Sequence, residues 1–388
     1  MSVFASFDDA LRTAAPVAEQ RYCVTIKPAR NLTADDRAQW ASLWARAGHS
    51  NIFAADWFMA SALAQFAAHS MVRLAVVHSL RGAWLGVLPL SFEGMMGRCP
   101  LPALHNWHCA NQFDASPLIE SGAEHIFWHV LLAHLDRTSG AACGLCLEEL
   151  PLDDPATRAL IEVCLAGERQ LKQTARWGRP MMAHFGSCEV APESVSPARR
   201  KLDRRLDSLL RKLQRDIGSV RFVQHACDAD PAEWIDRFLA LERSGWKGQS
   251  RSALGCDPRT AMLFRDVITA GWQSGAVRLM SLEAGGKVIA MTSWFLRKGR
   301  GYGFKMAYDE ARRSYAPGRL LMRAVADEVA RGPGVLFDTC ARADALADPL
   351  WPQTREVANY VLPIGGRVRR GIFAAVMRAH CAWHGRPA

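Results

Sequence analysis

The run 302–321 concentrates more potential chemistry than any other part of the 388-residue chain: Tyr-Gly-Phe-Lys-Met-Ala-Tyr-Asp-Glu-Ala-Arg-Arg-Ser-Tyr-Ala-Pro-Gly-Arg-Leu-Leu. A strand pattern over 302–308 leads through small residues and Gly318 straight into a helix pattern. The first N–H groups of a helix have no intrahelical acceptor and sit at the positive end of its dipole, so such a junction holds anions, a pyrophosphate among them. Arg313 adds a cation, and Ala316, Pro317, Gly318, Arg319 and Leu320 form the turn. The same residues also describe an ordinary strand-to-helix loop with Gly at its tight position. Three of only five tyrosines, Tyr302, Tyr308 and Tyr315, flank this loop. A phenol can give a proton to a departing thiolate or orient a substrate. For Tyr302 strand propensity is the better account, whereas Tyr308, at the strand's end, fits either role.

Other groupings favour packing over chemistry. Cys143-Gly-Leu-Cys146 has no second pair at zinc-site spacing and leads into a strand instead of opening a helix. His105, His108 and Cys109 lack a partner motif, and no Gly-x-Ser-x-Gly elbow supports a Ser-His-Asp hydrolase. A helix over 197–216 carries Arg199, Arg200, Lys201, Arg204, Arg205, Arg211, Lys212 and Arg215 opposite a stripe of Leu202, Leu206, Leu209, Leu210 and Leu213. Its basic side suits coenzyme A phosphate, an acidic carrier protein, tRNA or anionic lipid, and equally a solvated face.

The elements that must position these residues follow from periodicity. Thr33 caps a helix over 33–47 with Asp35 and Asp36 in its first turn. Strands over 72–78 and 84–92 form a hairpin, followed by a helix over 124–135, a strand over 145–149 and a helix after Pro155. In the second half a helix over 231–244 precedes three strands over 276–283, 288–296 and 302–308, then a helix over 319–331 stopped by 332–334, and a strand over 335–339. Both halves thus read as meander, connection, helix, strand. The expected organisation is an irregular lead-in over 1–21, a domain over 22–190, a linker over 191–198 overlapping the Pro- and Ser-containing stretch 189–197, a domain over 199–370, and a helix or tail over 371–388.

Composition sets the class. Hydrophobic residues at 49% and charged residues at 22% describe a globular protein. The net charge of +10 comes from 40 Arg and 8 Lys against 38 acids, a skew that codon bias produces without a functional demand. Eleven cysteines without an export signal fit a reducing compartment, and no apolar run reaches the roughly 18 to 20 residues of a membrane span. A cytoplasmic location is the expectation.

Four ordered motifs carry a resemblance: 241–248 (Leu-Glu-Arg-Ser-Gly-Trp-Lys-Gly), 304–310 (Phe-Lys-Met-Ala-Tyr-Asp-Glu), 316–321 (Ala-Pro-Gly-Arg-Leu-Leu), and 337–341 (Phe-Asp-Thr-Cys-Ala) with 350–352 (Leu-Trp-Pro). Together they resemble the CelD-like acetyltransferases of the GNAT superfamily, related to the Fem peptidyltransferases, over about residues 35–365. Arg313, Ala316 and Gly318 match the spacing of the GNAT pyrophosphate loop, Arg/Gln-x-x-Gly-x-Gly/Ala, with Ala in place of the first Gly. The resemblance implies an α/β fold of two tandem GNAT-like units with mixed, mostly antiparallel sheets flanked by helices. It implies acyl transfer from acetyl-CoA or another acyl-CoA to an amine, without a metal.

By GNAT logic the strands 302–308 and 335–339 splay to admit the pantetheine arm, and backbone N–H groups near Met306, Ala307 and Tyr308 polarise the thioester. Tyr308, Asp338 and Glu242 are the proton-transfer candidates. Asp338 also reads as a satisfied buried carboxylate and Glu242 as a helix-end ion pair. Trp246, Lys247 and Lys305 are candidate acceptor contacts, although 245–248 also reads as a corner with Trp246 in the core. Cys340 reads as a packing thiol. The stretch 110–123 lacks a pyrophosphate loop, which leaves the first unit to shape the acceptor pocket. The acceptor expected is a small-molecule or glycan amine, possible envelope or polysaccharide chemistry included, and no DNA is expected. Transfer from aminoacyl-tRNA and a non-catalytic binding module are the alternatives.

Overall fold

A computed structural model describes residues 21–48, 51–67, 71–96, 99, 101–184, 196–226, 229–331, 335–341 and 348–384. Two compact units divide the chain, one comprising Met1–Trp177 with Glu356–Ala388 and the other Gly178–Arg355. These limits differ from those expected at 191–198 and 370. The lead-in 1–20, most of the linker stretch and the helix stop at 332–334 lie outside the described residues.

In the first unit β1 (Tyr22–Pro28) pairs antiparallel with β2 (Arg73–Ser79), and β2 with β3 (Trp84–Glu93). Between β1 and β2 come α1 (Ala34–Arg46) and α2 (Asp56–Phe66). Helix α1 begins where expected: the Asp36 N–H donates to the Thr33 hydroxyl, and the Asp36 carboxylate accepts from the Thr33 N–H, a capping box. Strand β4 (Ala103–Asn106) follows antiparallel to β3 on the edge opposite β2, and β5 (Leu118–Ile119) pairs with β3 further along that same edge. Helix α3 (Glu124–Thr138), strand β6 (Gly144–Pro151) and helix α4 (Pro155–Ala166) complete the run. Strand β6 lies parallel to β4. Buried residues of α3, α4 and the sheet, including Phe127, Trp128, Leu131, Leu145 and Leu160, form one core.

The unit boundary then falls within β7 (Lys172–His184). In the second unit α5 (Pro197–Ile217), β8 (Val220–Gln224), α6 (Ala232–Ser244), the single turn α7 (Trp246–Gln249) and α8 (Pro258–Gln273) lead into the meander of β9 (Val277–Ala284), β10 (Lys287–Arg297) and β11 (Arg300–Tyr308). A 3-10 turn, Glu310–Tyr315, connects β11 to α9 (Pro317–Arg331), and β12 (Val335–Asp338) lies parallel to β11. The later half of β7 pairs antiparallel with β12. Leucines of α5 and α9 share a core with β9 and β10, to which Phe337 and Trp351 add a ring stack 4.9 Å between centroids. A separate aromatic chain joins Trp234 and Phe238 of α6, Phe264 of α8 and Phe304 of β11. Helices therefore cover the sheet on both faces.

The chain closes with β13 (Gln353–Pro363) and α10 (Arg367–His384). Strand β13 pairs antiparallel with β6, which is why residues beyond 355 belong to the first unit. Each unit is thus the expected α/β arrangement, a mixed and mostly antiparallel sheet with helices. Among the described residues no helix is long and apolar enough to cross a membrane.

Candidate active site

The second unit contains a fork between two parallel strands. Strand β11 pairs with β12 only from Arg300↔Leu336 to Tyr302↔Asp338, after which the strands separate. The cause is local to the end of β12. The Cys340 N–H donates to Asp338 Oδ1 at 2.8 Å, and Cys340 takes a left-handed φ of 54°, so the chain turns away from the ladder. Thr339 turns with it, donating through both its N–H and its hydroxyl to the Pro180 carbonyl at 3.1 and 2.7 Å. Gly303 marks the last close approach, because a Cβ there would lie 2.6 Å from the Thr339 carbonyl oxygen.

Beyond the fork β11 keeps β10 on one side only. Its register skips Phe304, since Ser293 faces Lys305 while Trp294 faces Gly303. This bulge re-aims the backbone at the mouth of the fork. Four residues further on, about 13 Å at 3.3 Å per residue, β11 reaches Tyr308 and the turn into α9.

That turn has the geometry of an anion site. Ala316 is left-handed, with φ 50° and ψ 51°, which explains why Gly suits this position. Pro317 has no N–H, and the N–H groups of Gly318 and Arg319 precede the first α-helical bond, from the Leu320 N–H to the Ala316 carbonyl at 3.0 Å. Arg313 is exposed beside them. A Cβ on Gly318 would meet the Tyr308 ring at 3.2 Å and Met306 at 3.4 Å. The Arg319 guanidinium is committed elsewhere, pairing with Asp348, and so anchors the segment that carries Trp351.

The proton-transfer candidates are distributed differently from the expectation. Asp338 is fully buried and faces two buried guanidinium groups, Arg355 at 3.1 Å and Arg179 at 3.5 Å. A carboxylate so engaged is a counterion and a strand terminator, which makes it a poor base. Glu242, also buried, accepts from Lys247 Nζ at 2.8 Å through one oxygen and from the Leu254 N–H at 2.8 Å through the other. Lys247 also donates to the Met306 carbonyl at 3.1 Å, so the pair fastens the α6–α7 corner to β11. Trp246 is 54% exposed, which excludes a core role. Lys305 is partly buried on the strand between Phe304 and Met306.

Tyr308 is hydrogen-bonded to Glu310. Burial first, then the Glu310 carboxylate, pushes its hydroxyl above the usual tyrosine range against the opposing charge of Arg313. It therefore stays protonated at neutral pH, but at the anion turn and not at the fork. Arg179, Arg355 and Glu310 were not legible as site residues. Glu310, two positions from Tyr308, had a local signal, whereas Arg179 and Arg355 had none.

The first unit repeats the fork and closes it. Strands β4 and β6 pair over Ala103↔Gly144 to His105↔Cys146. Buried Asn106 then spans the gap, donating to the carbonyls of Glu148 at 2.9 Å and Ala115 at 3.1 Å and accepting from the Glu148 N–H at 2.8 Å. The Ala115 N–H bonds the Glu149 carbonyl at 3.1 Å. The connection thus occupies the space that stays open in the second unit. Burial pushes the nearby Cys146 thiol up to about 12, helped by Glu148, Glu93 and Cys99, which keeps it a neutral packing group.

Residues 199–357 match the family model of the acetyltransferase (GNAT) domain. No curated protein sequence matches the chain. A conserved protein of unknown function from Bacteroides thetaiotaomicron VPI-5482 aligns with a TM-score of 0.51 at 11% identity, over 86% of this chain and 98% of that one. The C-terminal domain of a protein assigned as a lysylphosphatidylglycerol synthetase from Agrobacterium fabrum aligns with a TM-score of 0.51 at 11% identity, over 90% of this chain and 96% of that one. Identities this low speak for the fold alone. The fold is the α/β GNAT fold, and nearly all of the stretch that matches the acetyltransferase model lies in the second unit.

Proposed function

We propose that the second unit is the catalytic half of an acyl-CoA-dependent N-acyltransferase that acylates an amine. The observation that carries this reading is the fork, where β12 leaves the edge of β11 beyond Tyr302 and β11 runs on to the helix start at Pro317. The residues fit coenzyme A. Arg313 and the N–H groups of Gly318 and Arg319 would hold the pyrophosphate, and the open edge of β11 would bond an amide-bearing arm. Coenzyme A supplies an acyl group activated as a thioester. With the pyrophosphate at the turn, the reacting carbonyl falls near the fork, where N–H groups around Phe304–Met306 would stabilise the oxyanion formed by amine attack.

Tyr308 supports the turn under this reading, and Asp338 and Glu242 are positioning residues. Asp338 ends β12 and thereby opens the fork, while Glu242 and Lys247 hold β11 from behind. The motifs resembling CelD-like enzymes favour a small-molecule or glycan amine of envelope chemistry as acceptor.

The test is binding of acetyl-CoA, read by thermal shift and calorimetry. Gly318→Val and Arg313→Glu should each weaken it by at least about tenfold, equivalent to 1.4 kcal/mol, with the circular dichroism spectrum preserved. Tyr308→Phe should leave the rate at saturating donor within about threefold, whereas loss of a proton-transfer group costs about 10²- to 10⁴-fold. No binding by the wild-type chain, or unchanged affinity in both turn variants, would overturn the reading.

A further inference from the structure

We infer that the acyl group is delivered to this cleft on an acidic carrier protein, one of whose helices lies along the exposed face of α5. This rests on the proposal that the fork holds an acyl thioester.

At 100° per residue, Arg200, Arg211, Arg204, Arg215, Lys201, Lys212 and Arg205 fall in one arc of about 140°. All seven are exposed, and between positions 200 and 215 the only other residue in the arc is Ser208, also exposed. The opposite arc holds Leu206 and Leu213, packed in the core with Leu202, Leu209 and Leu210 beside them. Asp203 and Asp207 border the basic arc on one side and Asp216 on the other, and Arg199 and Arg323 draw Asp203 and Asp207 into pairs away from it. The stripe runs from residue 200 to residue 215, about 22 Å at 1.5 Å per residue.

The stripe ends at the anion turn. The Tyr315 hydroxyl donates to Asp216 at 3.1 Å, and Lys212 Nζ lies 5.4 Å from the Tyr315 ring centroid. A polyanion on α5 therefore meets the cleft entrance at one end. Only that end is within reach of a coenzyme A bound at the turn, so Lys201, Arg204 and Arg205, two to three helical turns away, serve something larger.

The shape of the stripe selects the occupant. Carboxylates along both borders penalise a broad anionic plane such as a bilayer, because it would approach them together with the cations. The arc carries no aromatic side chain on which unpaired bases would stack. A helix lined with carboxylates matches it in length, width and charge. A phosphopantetheine arm leaving such a helix would place its phosphate at the turn and its thioester at the fork. The C–S bond of that thioester breaks as the amide C–N bond forms, the amine loses one proton, and the freed arm thiolate gains one.

The test uses the full-length chain and a fatty-acid-synthesis acyl carrier protein in its acetylated and apo forms, with acetyl-CoA as the second donor. The triple variant Lys201→Glu, Arg204→Glu, Arg205→Glu should weaken acetyl-carrier binding by at least about tenfold and leave acetyl-CoA affinity unchanged. Wild-type affinity for the acetyl-carrier should fall steeply with added salt and exceed that for the apo form. Acetyl-CoA binding with no carrier binding, or carrier binding indifferent to the triple variant, would overturn the carrier and leave the cleft reading intact. Failure of acetyl-CoA itself to bind would remove both. Binding of a duplex RNA more tightly than the acetyl-carrier, abolished by the triple variant, would replace the carrier with nucleic acid.

Discussion

Replacing Asp338 by Asn separates a structural carboxylate from a catalytic one. The side chain is fully buried, with Arg355 at 3.1 Å and Arg179 at 3.5 Å, and those guanidinium side chains are 1% and 4% exposed. Asn keeps the shape and can still accept from the Cys340 N–H, so the turn that opens the fork survives. What is lost is the negative charge facing two buried cations. Removing one partner of a buried ion pair costs about 3 to 5 kcal/mol. For a unit of this size each kcal/mol moves the melting temperature by about 2 to 4 °C, so a fall of roughly 6 to 20 °C is expected. Urea unfolding at neutral pH gives the free energy directly. Adding Arg355→Met should recover part of the loss, because one stranded cation is removed and the Tyr302 ring, 5.7 Å from that guanidinium, can pack on the thioether. An Asp338→Asn chain as stable as wild type to within about 1 kcal/mol would refute the counterion assignment and return Asp338 to the list of bases.

Ala316→Gly should raise stability by up to about 1 kcal/mol, since Gly meets no Cβ strain at φ 50°, and a lowered melting temperature would contradict the left-handed turn. Burial alone would raise the Asp36 carboxyl, but the Lys27 ammonium and the Thr33 N–H and hydroxyl outweigh it and hold it below the usual carboxylate range. Its stabilisation is therefore complete above the unfolded carboxyl's pKa and is lost as pH falls through the folded one. Asp36→Asn should accordingly destabilise the chain near pH 7 and match wild type near pH 2, as urea titrations at the two values would show. A chain begun at Ser196 lacks the half of β7 that pairs with β12, together with Arg179, and should be insoluble; one spanning Gly178–Arg355 keeps both and should unfold cooperatively.

Much of the architecture was legible because its signals are local. The capping box at Thr33 and Asp36, the meander over β9–β11 and the leucine stripe of α5 each depend on residues a few positions apart, so periodicity and turn chemistry specify them without knowledge of the rest of the chain. The anion turn belongs to the same class, since a strand end, a tight small residue and a helix start are contiguous. Glu242 was readable as a member of a helix-end ion pair, and the structure identifies its partner as Lys247, five residues on.

Tertiary structure decided the remainder, for reasons that leave no period in a sequence. Strands β7 and β13 are divided between the two units, and each gains its partner, β12 and β6 respectively, from a distant stretch of chain. Asp338 has one residue type and one neighbourhood in the sequence whether it acts as a base or a counterion. Its role depends on Arg179 and Arg355 arriving from separate strands to neutralise it out of reach of water. The two forks begin alike, and whether one stays open turns on the Asn106 side chain bonding Glu148 and Ala115 across the gap in the first unit. Burial, ion pairing and the filling of a gap are relations between residues brought together in space, so they appear only once the chain has folded.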